Sequence, residues 1–253
     1  MSRRWAGALL ATVMATGCSA GEGNATELFV FAASSLTAAF GAVETRFESS
    51  HPDVDVVFNF GPSDGLAGQI QSEGTADVFA SASTRWMDEV ASDPGVIGRV
   101  DFAHNRLVVI TPGDDPAGIS TLADLAEPAV QVVLAAEGVP VGDYAREALA
   151  NAGILDGVTS NVVSNEEDAA GAVAKISSGE ADAAIVYVSD LTTTAAETLR
   201  SVAIPDDVNV VAIYPIAVVR NTDRADLARE FLDLVVSPEG GRILEKHGFE
   251  APG

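Results

Sequence analysis

From Glu27 onwards, short apolar, β-rich runs alternate with segments of helical spacing, and this alternation limits the fold more than any other property of the chain. LFVFAA (28–33) precedes SSLTAAFGAVETRFESSH (34–51), where Leu36, Phe40, Val43 and Phe47 recur at helical intervals. VDVVFNF (54–60) precedes LAGQIQSEG (66–74), and DVFAS (77–81) precedes a helical segment around RWMDEVA. LVVITP (107–112) opens a second set, with VQVVLA (130–135), YAREALANAG (144–153), VTSNVV (158–163), EEDAAGAVAKISSGE (166–180) and AAIVYV (183–188). VNVVAIYPIAVVR (208–220) is long enough to run between two bodies, and residues 223–249 read as helices broken at Ser237-Pro238. Apolar strands separated by helices predict parallel βαβ units covered on both faces. The expected fold is therefore α/β in two lobes, each a mostly parallel sheet flanked by helices, joined by two crossover segments near 105–111 and 208–216. Residues 27–106 with 215–253 are assigned to lobe 1, and 107–214 to lobe 2. At 253 residues and 47% hydrophobic, the chain is large enough to bury a core in each.

The first residues are of a different kind. Arg3 and Arg4 precede an apolar stretch from Trp5 to Ala15, too short to span a bilayer and laid out as a secretory signal. Small residues then lead to Cys18, the single cysteine of the chain. Ala15-Thr16-Gly17-Cys18 resembles a bacterial lipobox, with Ala where leucine is usual. Residues 1–17 are thus expected to be a signal peptide, 18–26 a tether lipidated at Cys18, and the protein exported, held on the outer face of the membrane or periplasmic. Loss of residues 1–17 removes two arginines and leaves 37 acids against 12 bases, a formal charge of −25. That balance argues against nucleic acid as a partner, and any anion must be held by local dipoles rather than by the overall field.

Three strand-to-helix junctions offer such dipoles: Ala33-Ser34-Ser35-Leu36, Gly61-Pro62-Ser63-Asp64-Gly65 and Val139-Pro140-Val141-Gly142-Asp143-Tyr144. Helix N-termini present unpaired N–H groups and partial positive charge, and a serine adds a hydroxyl donor. The same residues are also ordinary helix caps. GPSDG matches the G-x-S-x-G elbow of serine hydrolases, with His247 and Asp190 as conceivable partners for Ser63. No HGGG-like segment precedes Ser63, and His247 sits in LEKHGF at a helix end. His51, His104 and His247 are isolated, so no metal site and no cofactor is expected. Trp86, in TRWMDE, reads as core.

Taken in order and spacing, VFAASSLTAAF, FGPSDGLAGQI, ADVFASASTRWMDE, VPVGDYAREAL, EEDAAGAVAKI, AAIVYVSD and YPIAVV resemble the periplasmic molybdate-binding proteins of bacterial ABC transporters, from about Leu28 to Phe249. The resemblance implies a type II periplasmic-binding fold that closes over a tetrahedral oxyanion and delivers it to a permease, as a non-enzymatic monomer. It implies ligand contacts from two serine hydroxyls, two backbone amides and a tyrosine. By motif these fall on Ser35, Ser63, Val141, Ala169 and Tyr187. Molybdate, tungstate and sulfate are fully deprotonated at neutral pH, so their site needs donors, and neutral oriented donors bind a dianion well when desolvated. Phosphate keeps a proton and tolerates an acceptor, so sulfate and phosphate stand as alternative ligands. Asp64 and Asp143 flank two of the junctions, and both are expected to point away from the ligand.

Overall fold

The computed structural model describes residues 25–193 and 196–252; the expected signal segment and Cys18 lie outside them. Three βα units come first. Strand β1 (Thr26–Ala33) leads through a 3-10 turn (Ser34–Leu36) into α1 (Thr37–Ser50). Then β2 (Val54–Gly61) leads into α2 (Ser63–Glu73), and β3 (Val78–Ala80) into α3 (Thr84–Ser92). The long β4 (Val96–Pro112) is followed by β5 (Val132–Ala135), α4 (Pro140–Asn151), α5 (Leu155–Ser160), β6 (Val162–Glu166), α6 (Ala169–Ser177) and β7 (Ala183–Tyr187). A 3-10 turn (Val188–Thr192), β8 (Leu199–Ala203), β9 (Val211–Val219), α7 (Ala225–Val236) and α8 (Pro238–Lys246) complete the chain.

The strand order is β2-β1-β3-β9-β4-β7-β5-β6, with β8 beside β4. Each lobe has a parallel triplet, β2-β1-β3 or β6-β5-β7, and the crossing strands add antiparallel pairs at its edge. β4 changes partner part-way along: Val96 to Arg106 pairs with β9, and Leu107 to Pro112 pairs with β7 and β8. One strand therefore belongs to both sheets, which places the C-terminal ends of the two triplets on either side of a cleft.

Packing explains the main elements. Phe40, Phe47, Phe58 and Phe231 meet at ring separations of 5.4–6.4 Å, tying α1 and α7 to the first sheet. Burying each such side chain is worth roughly 1.5–3 kcal/mol. On the opposite face, Leu66, Ile70, Met87 and Val90 seat α2 and α3 against Phe31 and Phe79. Ser237 caps α8 by accepting from Gly240 N–H, and Pro238 opens that helix, so the chain breaks where the sequence indicates.

Three elements differ from expectation. Strand β4 begins at Val96 rather than Leu107, because its first half faces solvent on one side and mixes polar with apolar residues. Strand β8 was not expected, since LRSVA lies at an edge with Arg200 and Ser201 exposed. The expected strand 158–163 is instead the end of α5 followed by β6. Val158 packs as a fully buried helical residue, and Asn161 ends the helix by donating to the carbonyls of Leu125 and Glu127.

Candidate functional site

Between the lobes is a small cavity with about 20 Å³ of room for the centre of a water-sized sphere. That exceeds the roughly 10–15 Å³ needed by one water and suits a compact ligand. Ser35, Ser63, Val141, Ala169 and Tyr187 all line it, although 152 positions separate the first from the last in the sequence. Four of the five stand at the starts of helical segments and one at the end of a strand.

Each donor is prepared locally. Ser63 opens α2 after Pro62 and is 1% exposed; its Oγ accepts from Ala82 N–H at 3.0 Å. With that lone pair used, the hydroxyl proton is left to donate into the cavity. Ser35 Oγ lies 2.9 Å from the hydroxyl of Tyr214, a fully buried residue. Asn105 Nδ2 makes a long contact of 3.5 Å to the same Tyr214 oxygen, so Tyr214 accepts from Asn105 and can donate to Ser35. A chain of this polarity leaves the Ser35 proton free as well. Val141 follows Pro140 at the start of α4, and Ala169 is the first residue of α6, positions whose amides have no acceptor within the helix.

Tyr187 ends β7. Its hydroxyl is buried without a hydrogen-bond partner among the described residues. Burial first, and neighbouring tyrosines second, hold its pKa well above 10, so it stays a protonated donor. Burial likewise raises the pKa of Tyr214.

The acids sort into distinct roles. Asp143 does not line the cavity: its Oδ1 accepts from Gly138 N–H at 2.8 Å, fixing the turn before α4. Asp64 does not line it either, but the residue is half-buried and one carboxylate oxygen is buried without a partner among the described residues, rather than solvated as expected. Asp168 does line the cavity, which sequence reasoning missed. Its Oδ1 caps α6 by accepting from Gly171 N–H at 2.9 Å. Behind the cavity, buried Asp190 accepts from Tyr187 N–H at 2.9 Å; desolvation lifts its pKa to about 7 against that bond.

Other supports also escaped sequence reasoning. Arg146 Nη1 donates to the carbonyls of Ala135 and Gly142 at 2.8 and 2.9 Å, and so closes the loop that carries Val141. A Cβ at Gly142 would lie 2.3 Å from the carbonyl oxygen of Ala136, so only glycine lets α4 start this close to β5. The spacing YAREAL carried the Arg146 signal, because it puts Arg146 one helical turn beyond Gly142. Tyr214 stands in YPIAVV, one of the stretches that carry the resemblance, whereas nothing local marks Asn105.

The hydrolase constellation does not assemble around Ser63. His247 and Asp190 share a second cavity with Ser34 and Ser35, and no hydrogen bond joins the imidazole to any of them among the described residues. Also among the described residues, no group of three His, Cys, Asp or Glu could hold a metal ion, and no helix is long and apolar enough to cross a membrane.

Residues 28–250 match the family described as bacterial extracellular solute-binding protein. The molybdate-binding protein ModA of Mycobacterium tuberculosis (strain H37Rv) is 38% identical over 232 residues, covering 90% of this chain and 86% of that protein. ModA of Escherichia coli (strain K12) is 34% identical over 262 residues, covering 98% of this chain and 99% of that protein. Among solved structures, the periplasmic molybdate-binding protein of Azotobacter vinelandii superposes with a TM-score of 0.79 at 19% identity, over 89% of this chain and all of that one, a likeness of fold.

Proposed function

This chain belongs to the bacterial extracellular solute-binding protein family, and we propose from that premise that it binds molybdate between its two lobes and passes it to the permease of an ABC transporter. One observation carries the reading: hydroxyls and helix-start amides from both lobes line a single compact cavity that contains no lysine or arginine. In the proposed complex Ser35, Ser63 and Tyr187 donate through hydroxyls, and Val141 and Ala169 through backbone N–H groups. Such charge-assisted bonds strengthen out of water, so neutral dipoles suffice for a dianion. Tungstate, nearly isosteric, is a second ligand of the same site, and closure of the lobes around the ion is the capture step.

The change of β4 partners at Arg106/Leu107 supports a first lobe boundary between these residues. Pairing of Val211 with Arg106 supports moving the second boundary from residue 214 back to about residue 210. Export with lipid anchoring through Cys18 completes the proposal, and the family's extracellular role supports it.

A second oxyanion is favoured by one feature. The Asp168 carboxylate at the cavity wall is an acceptor, which suits hydrogen phosphate better than a fully deprotonated ion. Only Oδ1 is committed to the Gly171 amide, so Oδ2 is the atom that would take that role.

The deciding experiment is a thermal shift of the mature protein against molybdate, tungstate, sulfate and phosphate. A ligand at 100 times its Kd stabilises by about 2.7 kcal/mol. Molybdate and tungstate are expected to shift the transition most. A larger shift with phosphate would transfer the assignment to phosphate, and no shift with any of the four would end the oxyanion reading.

A further inference from the structure

The lobes also touch beside the cavity, at a seam between the turn after β3 and the turn after β5. Trp86 Nε1, on α3, donates to the carbonyl of Gly138 at 3.0 Å. Gly138 holds φ at +91°, a left-handed conformation, in the turn before α4. The Arg85 guanidinium stands 4.6 Å above the Trp86 ring, and its Nη1 lies 3.7 Å from Asp143 Oδ2. Asp143 thereby has two duties, since its other oxygen holds the Gly138 amide. The seam joins directly to both cavity walls: Val139, Pro140 and Val141 follow Gly138, and Ala82 precedes α3 by two residues.

We propose that Trp86, braced by Arg85 and Asp143, is a clasp that forms only when the lobes close and that sets how fast the bound anion is released. Trp86 is a positioning residue here, because it does not line the cavity. The proposal rests on the reading of the cleft as an oxyanion site that opens and closes. A contact made in the closed state alone raises the closed population and lowers the apparent Kd by the same factor. Because the clasp forms after the anion has entered, its loss appears in the dissociation rate. The part-buried hydrogen bond from Trp86 outweighs the ion pair, since Arg85 is 63% exposed and such pairs contribute little.

The sequence provides a reporter. The only other tryptophan is Trp5, inside the segment expected to be removed, so the mature protein has Trp86 alone. Intrinsic fluorescence of the mature protein is recorded with and without sodium molybdate, or with whichever of tungstate, sulfate and phosphate stabilises it. Binding and release rates are then compared in the wild type, Trp86→Phe and Asp143→Asn by rapid mixing and by calorimetry. Trp86→Phe keeps the ring and deletes the N–H; Asp143→Asn keeps an acceptor for Gly138 and deletes the charge facing Arg85. The expected results are a blue shift of Trp86 emission on binding and a release rate about 2- to 10-fold faster in Trp86→Phe, with the association rate unchanged. Asp143→Asn should release less than about 5-fold faster. If the wild type binds an oxyanion but Trp86 emission stays constant, or if Trp86→Phe releases at the wild-type rate, the clasp is overturned and the binding function stands. A wild type that binds none of the four ions overturns both.

Discussion

Tyr187 and Ser63 both line the cavity, yet their hydroxyls are held in opposite ways. Tyr187 buries a hydroxyl that has no well-formed hydrogen bond among the described residues and only Tyr214 as a polar neighbour, a cost of up to about 1–3 kcal/mol that a bound oxyanion would relieve. Tyr187→Phe removes that cost along with the donor. Affinity for molybdate should fall roughly 10- to 150-fold by calorimetry, while ligand-free stability in urea holds or rises. In Ser63→Ala the buried Ala82 N–H loses its acceptor, so ligand-free stability should drop by about 1–3 kcal/mol and binding should weaken as well. A Ser63→Ala protein as stable as the wild type would show that Ala82 finds another acceptor. The sequence marks Ser63 as a junction hydroxyl, but its bond to Ala82 spans 19 positions and leaves no local trace. For the same reason the roles of Tyr214 and Asn105, which stand 179 and 70 positions from Ser35 and reach it as a chain of hydrogen bonds, could not be found from motifs.

At the level of elements, the site depends on how closely strands hand over to helices. Helix starts were legible because serine, proline and glycine mark them, and Ser35, Ser63 and Val141 stand at such marks; their role as ligands, and the choice of Ala169 and Tyr187, came only through the family resemblance. Edge strands were not, since β8 and the first half of β4 lack a continuous apolar run. The tightest handover is β5 to α4. Gly142→Ala would push a methyl into the Ala136 and Ala135 carbonyls, at 2.3 and 2.5 Å, and displace the Val141 amide. Both thermal stability and molybdate affinity should fall, and unchanged affinity would argue against that amide as a ligand. The β7 handover carries a pH signature. Asp190 has a pKa of about 7 in the fold against 3.8 ordinarily, so between those values the folded chain holds a proton that the unfolded chain has released. Stability should therefore decline as pH rises from about 4 to about 7 and level off above. Asp190→Asn keeps an acceptor for Tyr187 N–H and should flatten this part of the curve in thermal melts across pH. An unaltered slope would place the titration elsewhere.

Across the whole molecule, the field and the site oppose each other. The two-lobed plan was legible in the repeated strand–helix alternation, whereas the seam was not, because Trp86 and Gly138 are 52 positions apart and a tryptophan in an amphipathic helix reads as core. The balance of charge is legible from counts alone: 37 acids stand against 14 bases over the full sequence. A dianion approaching such a surface is repelled at long range, while the helix starts attract it only within the last few ångströms. Salt screens the first effect far more than the second. The Debye length falls from about 30 Å at 0.01 M to about 8 Å at 0.15 M, and a buried cavity is largely shielded from that change. The association rate of molybdate should therefore rise with ionic strength over this range, with dissociation nearly constant. Rapid-mixing fluorescence in sodium chloride gives both rates. An association rate that falls with salt would mean that the mouth of the cleft is locally attractive despite the surrounding acids, and that the capture step is steered rather than hindered by the protein's charge.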